Sequence, residues 1–211
     1  MRKIIILLFL TTSLYSFGQI NYSKYGVDET KHIPIGLNIG DQAPSFSAID
    51  QYGNIIVLDS LLKKGSVVVI FYRGYWCPVC SRYLSNLQDS LAYIESRKAT
   101  VIAITPEKPK GIQKTIAKTK SEFVILSDSL DKISIDYDVL FNVTNGYATK
   151  IKIGLFTDIS KNNGSNEAKL PVPATFIISP NRKIIYKQFD IDYKNRAHVI
   201  DMIEAIENID K

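Results

Sequence analysis

The chain has 211 residues, 45% of them hydrophobic, with a formal net charge of +5 and only two cysteines. That is enough apolar material for one domain with a sizeable core. Its lysines are scattered among Asp and Glu, with no basic stripe or aromatic-interleaved patch, which excludes a nucleic-acid-binding role.

Residues 1–18 read as a cleavable export signal. Arg2 and Lys3 give a basic start, Ile4 to Leu10 are apolar, and small residues at Ser16 and Gly18 precede Gln19. The apolar run is too short to span a bilayer, even when extended to Phe17, and no cysteine follows it to carry a lipid anchor. The expectation is an exported protein, periplasmic or extracellular, with no stable membrane insertion after cleavage; an uncleaved anchor is the alternative. Setting Arg2 and Lys3 aside lowers the net charge from +5 to about +3, that of a mildly basic, solvated surface.

Residues 19–38 are polar and weakly patterned, an irregular N-terminal arm, and residues 39–211 make up a single domain. Phe46 to Ile49 and Ile55 to Leu58 flank Asp50-Gln51-Tyr52-Gly53-Asn54, a hairpin with a glycine turn. Ser60 to Lys64 is a short helical turn stopped by Gly65. Val67 to Phe71 is a continuous β-branched run, a buried strand. After the cysteines, Leu84, Leu87, Leu91 and Ile94 follow helical spacing to about Ser96. Thr100 to Thr105 is a second buried strand, Gln113 to Lys120 a basic helix, and Phe123 to Leu126 a third strand. Ser127-Asp128 caps a helical stretch from Leu130 to Tyr137.

Residues 137–169 are poorly patterned, and the tract from Ser160 to Asn166 reads as an exposed loop. Strands Thr175–Ile178 and Ile184–Phe189 form an antiparallel hairpin, and a helix over Arg196 to Ile209 closes the chain. Strands separated by helical stretches specify an α/β fold, a central sheet with helices on both faces.

Both cysteines lie in Cys77-Pro78-Val79-Cys80, between a strand and a helix. Cys77 therefore stands at a helix N-terminus, where free N–H groups and the positive end of the dipole favour a thiolate. Pro78 suits the first helical turn, where a missing N–H costs nothing. A bridge between Cys77 and Cys80 closes a very short ring, worth roughly 2 kcal/mol in the chain-entropy picture against about 4.7 for a hundred-residue loop. Redox chemistry is thus the better use of the pair than a structural staple, with Cys77 as nucleophile, the more exposed sulfur, and Cys80 as resolving thiol. A closed zinc site needs about four ligands; only His32 and His198 remain, far away in sequence, so no metal or other cofactor is expected. Trp76 and Tyr75 supply an apolar floor beside the thiol, and Arg73, four residues before Cys77, can stabilise a thiolate. Gly74 allows a tight turn. Pro173 opens a strand, and a cis bond there would leave the Val172 backbone free to pair with substrate.

These segments resemble the peroxiredoxin-like AhpC/TSA redoxins of the thioredoxin superfamily. The resemblance rests on Gly40-Asp41-Gln42-Ala43-Pro44-Ser45-Phe46, Phe71-Tyr72-Arg73-Gly74-Tyr75-Trp76-Cys77-Pro78-Val79-Cys80, Ile104-Thr105-Pro106-Glu107 and Leu170-Pro171-Val172-Pro173-Ala174-Thr175-Phe176. It implies a thioredoxin-like fold with a central mixed β-sheet flanked by helices, and a cis-proline at Pro173. Peroxidatic members carry a threonine and proline ahead of the cysteine and a distant arginine. In this chain those positions are Gly74, Ile70 and Pro173, with Arg73 or Arg196 as the available substitutes.

Three functions follow. The favoured one is an exported thiol–disulfide oxidoreductase acting on protein or small-molecule disulfides and thiols. The alternative is a thiol-dependent peroxidase, with Cys77 peroxidatic and an external thiol as reductant. The third is a non-catalytic thioredoxin-fold binding domain, for which Cys77→Ser would be silent.

Overall fold

The computed structural model describes residues 20–209, so the export signal expected over residues 1–18 lies outside the described residues. The described chain starts with a 3-10 turn, Tyr22–Tyr25, whose Lys24 amide donates to Asn21 Oδ1 at 3.0 Å. The arm beyond it is tied to the body: Val27 bridges Val143, and the Gly36 amide donates to Asp138 O at 2.9 Å.

Strands β1 (Ser47–Ile49) and β2 (Ile55–Val57) form an antiparallel hairpin, held where the Asp50 carboxylate accepts the amides of Tyr52 and Asn54, both at 2.8 Å. Helix α1 (Leu58–Leu62) leads to β3 (Ser66–Phe71), then α2 (Pro78–Asp89), α3 (Leu91–Glu95), β4 (Ala99–Thr105), α4 (Pro109–Thr119), β5 (Val124–Ser127) and α5 (Lys132–Asp136). The second half runs β6 (Leu140–Asn142), α6 (Asn145–Gly154), α7 (Ile159–Asn163), β7 (Lys169–Pro171), β8 (Thr175–Ile178), β9 (Ile184–Gln188) and α8 (Val199–Glu207).

The central sheet has the order β5-β4-β3-β8-β9. Strands β3, β4 and β5 are parallel, and β8 and β9 are added antiparallel, so the sheet is mixed, as expected for a thioredoxin-like fold. Strand β3 is central and covered on both faces, hence its unbroken apolar sequence. Its side chains alternate: Val68 and Ile70 join Leu84 and Leu87 of α2 and Met202 and Ile203 of α8. Val67, Val69 and Phe71 join Leu58, Ile133, Tyr137 and Phe176 on the other face. Each fully buried aliphatic chain contributes roughly 1.5–3 kcal/mol, so the sheet end that carries the cysteines rests on a rigid platform.

Several local readings change, among them the closing helix, which starts at Val199 and leaves Arg196 in the segment before it. The helix expected to run to Ser96 breaks at Ser90, whose non-helical backbone separates α2 from α3. The basic helix starts four residues earlier than its sequence pattern indicates, because Pro109 occupies its first turn. The tract from Ser160 to Asn166 is not simply a loop. Ile159–Asn163 is helical, with Asp158 accepting the Lys161 amide at 3.2 Å and Gly164 ending it at φ +75°. Helix α6 had no clear sequence signal; Thr144 caps it by accepting the Tyr147 amide at 3.3 Å.

Candidate active site

Strand β3 delivers the chain to Tyr72, and the turn that follows carries Arg73 to Trp76 to the head of α2. Gly74 has φ +144°, and a Cβ there would stand 2.5 Å from Glu107 Oε1 and 2.6 Å from Trp76 Nε1. Both the backbone and the space beneath it require glycine.

Cys77 is the N-cap of α2, and its Sγ accepts the Cys80 amide at 3.2 Å. The two cysteines are joined as a disulfide with a Cα–Cα distance of 5.2 Å. Both are fully buried, so the greater exposure expected of Cys77 does not hold in this disulfide form; aromatic and arginine side chains cover the helix N-terminus. The covering groups include Trp76, 4% exposed, and the ring of Tyr193, whose centroid is 3.7 Å from Arg73 Cζ.

Each sulfur has its own arginine. Arg73 Nη2 lies 3.3 Å from Cys77 Sγ, while Nη1 donates to the Tyr147 hydroxyl at 2.7 Å. Arg196 Nη2 lies 3.3 Å from Cys80 Sγ, and its Nε donates to Tyr193 O at 2.8 Å. Among the described residues neither guanidinium is paired with a carboxylate, so both charges are available to thiolates after reduction. Burial, and less strongly the like charge of Arg73, push the Arg196 guanidinium down to about 10, still cationic at neutral pH. Burial raises the Tyr147 hydroxyl, so it stays a neutral partner for Arg73.

A carboxyl supports the turn from below. Glu107, two residues past the end of β4, is fully buried, and burial raises its carboxyl to about 7. Its Oε2 accepts the Tyr75 amide at 2.9 Å, and its Oε1 accepts the side-chain amide of Asn162 from α7. Glu107 stood within a matching motif but carried no role in the sequence; its signal, an acid after a strand and a proline, does not reveal burial. Tyr147 left no signal at all.

Pro173 requires a correction. No cis peptide bond occurs among the described residues, so the Val172–Pro173 bond is trans. Val172 does pack in the same apolar cluster as Cys77 and Cys80. Its amide, however, donates to Val139 O at 2.8 Å, and the residue is 1% exposed. That N–H is therefore already satisfied and is not free to pair with a substrate chain, as the sequence had suggested.

A strand-to-helix turn presenting a Cys-x-x-Cys disulfide from a mixed, helix-covered sheet defines a redox protein of the thioredoxin superfamily. The comparisons with known proteins agree. A family model for the AhpC/TSA family matches residues 39–187. The chain belongs to the AhpC/TSA family, the peroxiredoxin-like redoxins. It is 28% identical over 103 residues to a putative peroxiredoxin, bcp, of Haemophilus influenzae, covering 49% of this chain and 66% of that protein. It is 30% identical over 118 residues to the chloroplastic peroxiredoxin Q of Populus jackii, covering 54% of this chain and 55% of that protein. The chain thus spans less than two thirds of these relatives' lengths. The crystal structure of peroxidoxin BcpB from Mycobacterium tuberculosis superposes with a TM-score of 0.63 at 20% identity, covering 85% of this chain and 100% of that one, a likeness of fold.

Proposed function

We propose that this chain is a thiol peroxidase, the alternative rather than the favoured reading of its sequence. The observation that carries it is the Arg73 guanidinium, 3.3 Å from Cys77 Sγ and fixed by Tyr147. It supplies, from the turn itself, the cation that the Pro173 position lacks. The relatives named as peroxiredoxins support the same reading.

In this reaction the Cys77 thiolate attacks the terminal peroxide oxygen. The O–O bond breaks, the alkoxide leaves and takes up a proton, and Cys77 becomes a sulfenic acid. Arg73 holds the thiolate and stabilises charge moving onto the leaving oxygen. The Cys80 thiol then attacks Cys77 Sγ, hydroxide leaves as water with the Cys80 proton, and the disulfide forms. An external thiol returns both cysteines to the reduced state. Cys77 and Cys80 already lie within bonding distance on one helical turn, so no unfolding is needed.

The test is stoichiometric. Reduced protein should consume one equivalent of hydrogen peroxide, Cys77→Ser should consume none, and Cys80→Ser should accumulate a sulfenic acid visible by mass. Absence of peroxide consumption, with turnover of a disulfide substrate, would return the protein to the disulfide-exchange reading. That second reading retains support from the Gly74 and Pro173 substitutions at the usual peroxide-polarising positions.

Export belongs to the same proposal, supported by Arg2, Lys3, the apolar run to Leu10 and the small residues at Ser16 and Gly18. N-terminal sequencing of the mature protein should begin at Gln19, and a chain retaining Met1 in the cytoplasm would refute it.

A further inference from the structure

Beside the redox helix lies an open cleft of about 900 Å³ between α2 and the segment that leads into α8. Val79, the residue between the two cysteines, lines it together with Arg82, Tyr83, Lys194, Arg196 and His198. Arg82, Lys194 and Arg196 have no ion-pair partner among the described residues. The one acid in the lining, Asp190, is used locally: it accepts the Asp192 amide and the Asn195 side-chain amide, both at 2.7 Å. With three cationic side chains against that one carboxylate, the cleft carries an excess of positive charge. It is connected to the chemistry through Arg196, which lines the cleft and whose Nη2 also reaches Cys80 Sγ at 3.3 Å.

The two ends of the disulfide are not equivalent as leaving groups. In thiol–disulfide exchange the better-stabilised thiolate departs faster. Cys77 Sγ receives both the Arg73 guanidinium and the Cys80 amide at the head of α2, whereas Cys80 Sγ receives Arg196 alone. Leaving-group preference thus directs an incoming thiolate to Cys80, which is itself buried and is approached from the cleft only past the Arg196 side chain that touches it.

We infer that this cleft is the docking site of the reductant, and that it selects a small thiol carrying a carboxylate over a neutral or cationic one. This inference rests on the proposed peroxidase cycle for its place in turnover, but its chemistry concerns the disulfide alone. The reductant's carboxylate sits among Arg82, Lys194 and Arg196. Its thiolate attacks Cys80 Sγ, the Cys77–Cys80 bond breaks, and the electron pair stays on Cys77 as a thiolate held by Arg73. A second thiolate attacks the reductant sulfur of the mixed disulfide, releasing a small-molecule disulfide and the Cys80 thiolate, which takes up a proton.

The experiment reduces the oxidised full chain with three monothiols of similar size: mercaptopropionate, mercaptoethanol and cysteamine. Rates are read from the fluorescence of Trp76, the only tryptophan in the chain and adjacent to Cys77, and are corrected for each thiol's own ionisation. The expected order is anionic, then neutral, then cationic, with roughly tenfold or more between the first two at low salt. That advantage should collapse on going from roughly 0.01 M to 1 M salt, as the screening length falls from about 30 Å to about 3 Å. It should also shrink several-fold in Arg82→Gln combined with Lys194→Gln.

Equal rates for the three thiols, a reversed order, an advantage untouched by the double substitution, or no reduction by any of them would overturn the inference. Failure of the peroxidase reading is separately visible: the reduced protein would leave hydrogen peroxide unconsumed while the charge order among the thiols stood.

Discussion

The buried carboxyl beneath the active-site turn makes the stability of this protein depend on pH in an unusual direction. Glu107 is fully buried, and burial raises its carboxyl from 4.5 to about 7. Below pH 4.5 the folded and unfolded chains both hold the proton, and the group costs nothing. Between 4.5 and 7 the unfolded chain releases a proton that the folded chain keeps, so stability falls as pH rises. Above 7 the full cost is present, about 3 kcal/mol for a displacement of this size. Glu107→Gln keeps an acceptor for the Tyr75 amide and cannot ionise. Urea unfolding of both proteins at pH 5 and pH 8 isolates the effect, because every other titrating group is shared. Part of that cost is already present at pH 5, so the wild type should lose about 2.5 kcal/mol more than the variant between the two conditions. Parallel losses, equal within about 0.5 kcal/mol, would refute the assignment of a buried, proton-holding Glu107 and with it the support the carboxyl gives to Tyr75.

Three further outcomes follow from the same geometry. Arg73→Met removes a charge-assisted contact worth roughly 1.5–3 kcal/mol to the Cys77 thiolate; ultraviolet titration of the reduced protein should show the Cys77 pKa raised by about one to two units, and an unchanged titration would contradict the pairing. Gly74→Ala drives a Cβ to within 2.5 Å of Glu107 Oε1 at a φ of +144°, and the unfolding midpoint should report a loss of about 2 kcal/mol or more. Asp128 accepts the Ile133 amide at 3.0 Å, the Ser134 amide at 2.8 Å and the Ser134 hydroxyl at 2.7 Å. Asp128→Ala should therefore cost about 2 kcal/mol by denaturant titration, whereas a neutral result would mean that water replaces the cap.

What the sequence could show, and what it could not, divides along the range of the forces involved. The strand-turn-helix around Cys77 is local: a β-branched run, a glycine that must turn, a proline suited to a first helical turn and a helical apolar spacing all lie within thirty residues. Each acts on its own neighbours, so the redox motif, the parallel core strands and the Asp128 cap were legible before any packing was known. The Val67–Phe71 run even disclosed its burial on both faces, because only a doubly covered strand tolerates such composition.

The partners of that motif are long-range. Tyr147 reaches Arg73 from α6, and Asn162 reaches Glu107 from α7, both in the region whose weak pattern concealed its helices. Arg196 reaches Cys80 across 116 positions of sequence. No periodicity encodes a contact of that kind, since it is the twist of the sheet and the return of the chain over α2 that bring the groups together. The same distinction explains Pro173: its position before a strand was readable, but the engagement of the Val172 amide with Val139 depends on where β6 and β7 pack. The sequence by itself determined that two cysteines stand at the head of a helix on a buried sheet. Tertiary structure decided that each sulfur faces an arginine, that a buried acid holds the turn, and that one of those arginines opens onto a cationic cleft.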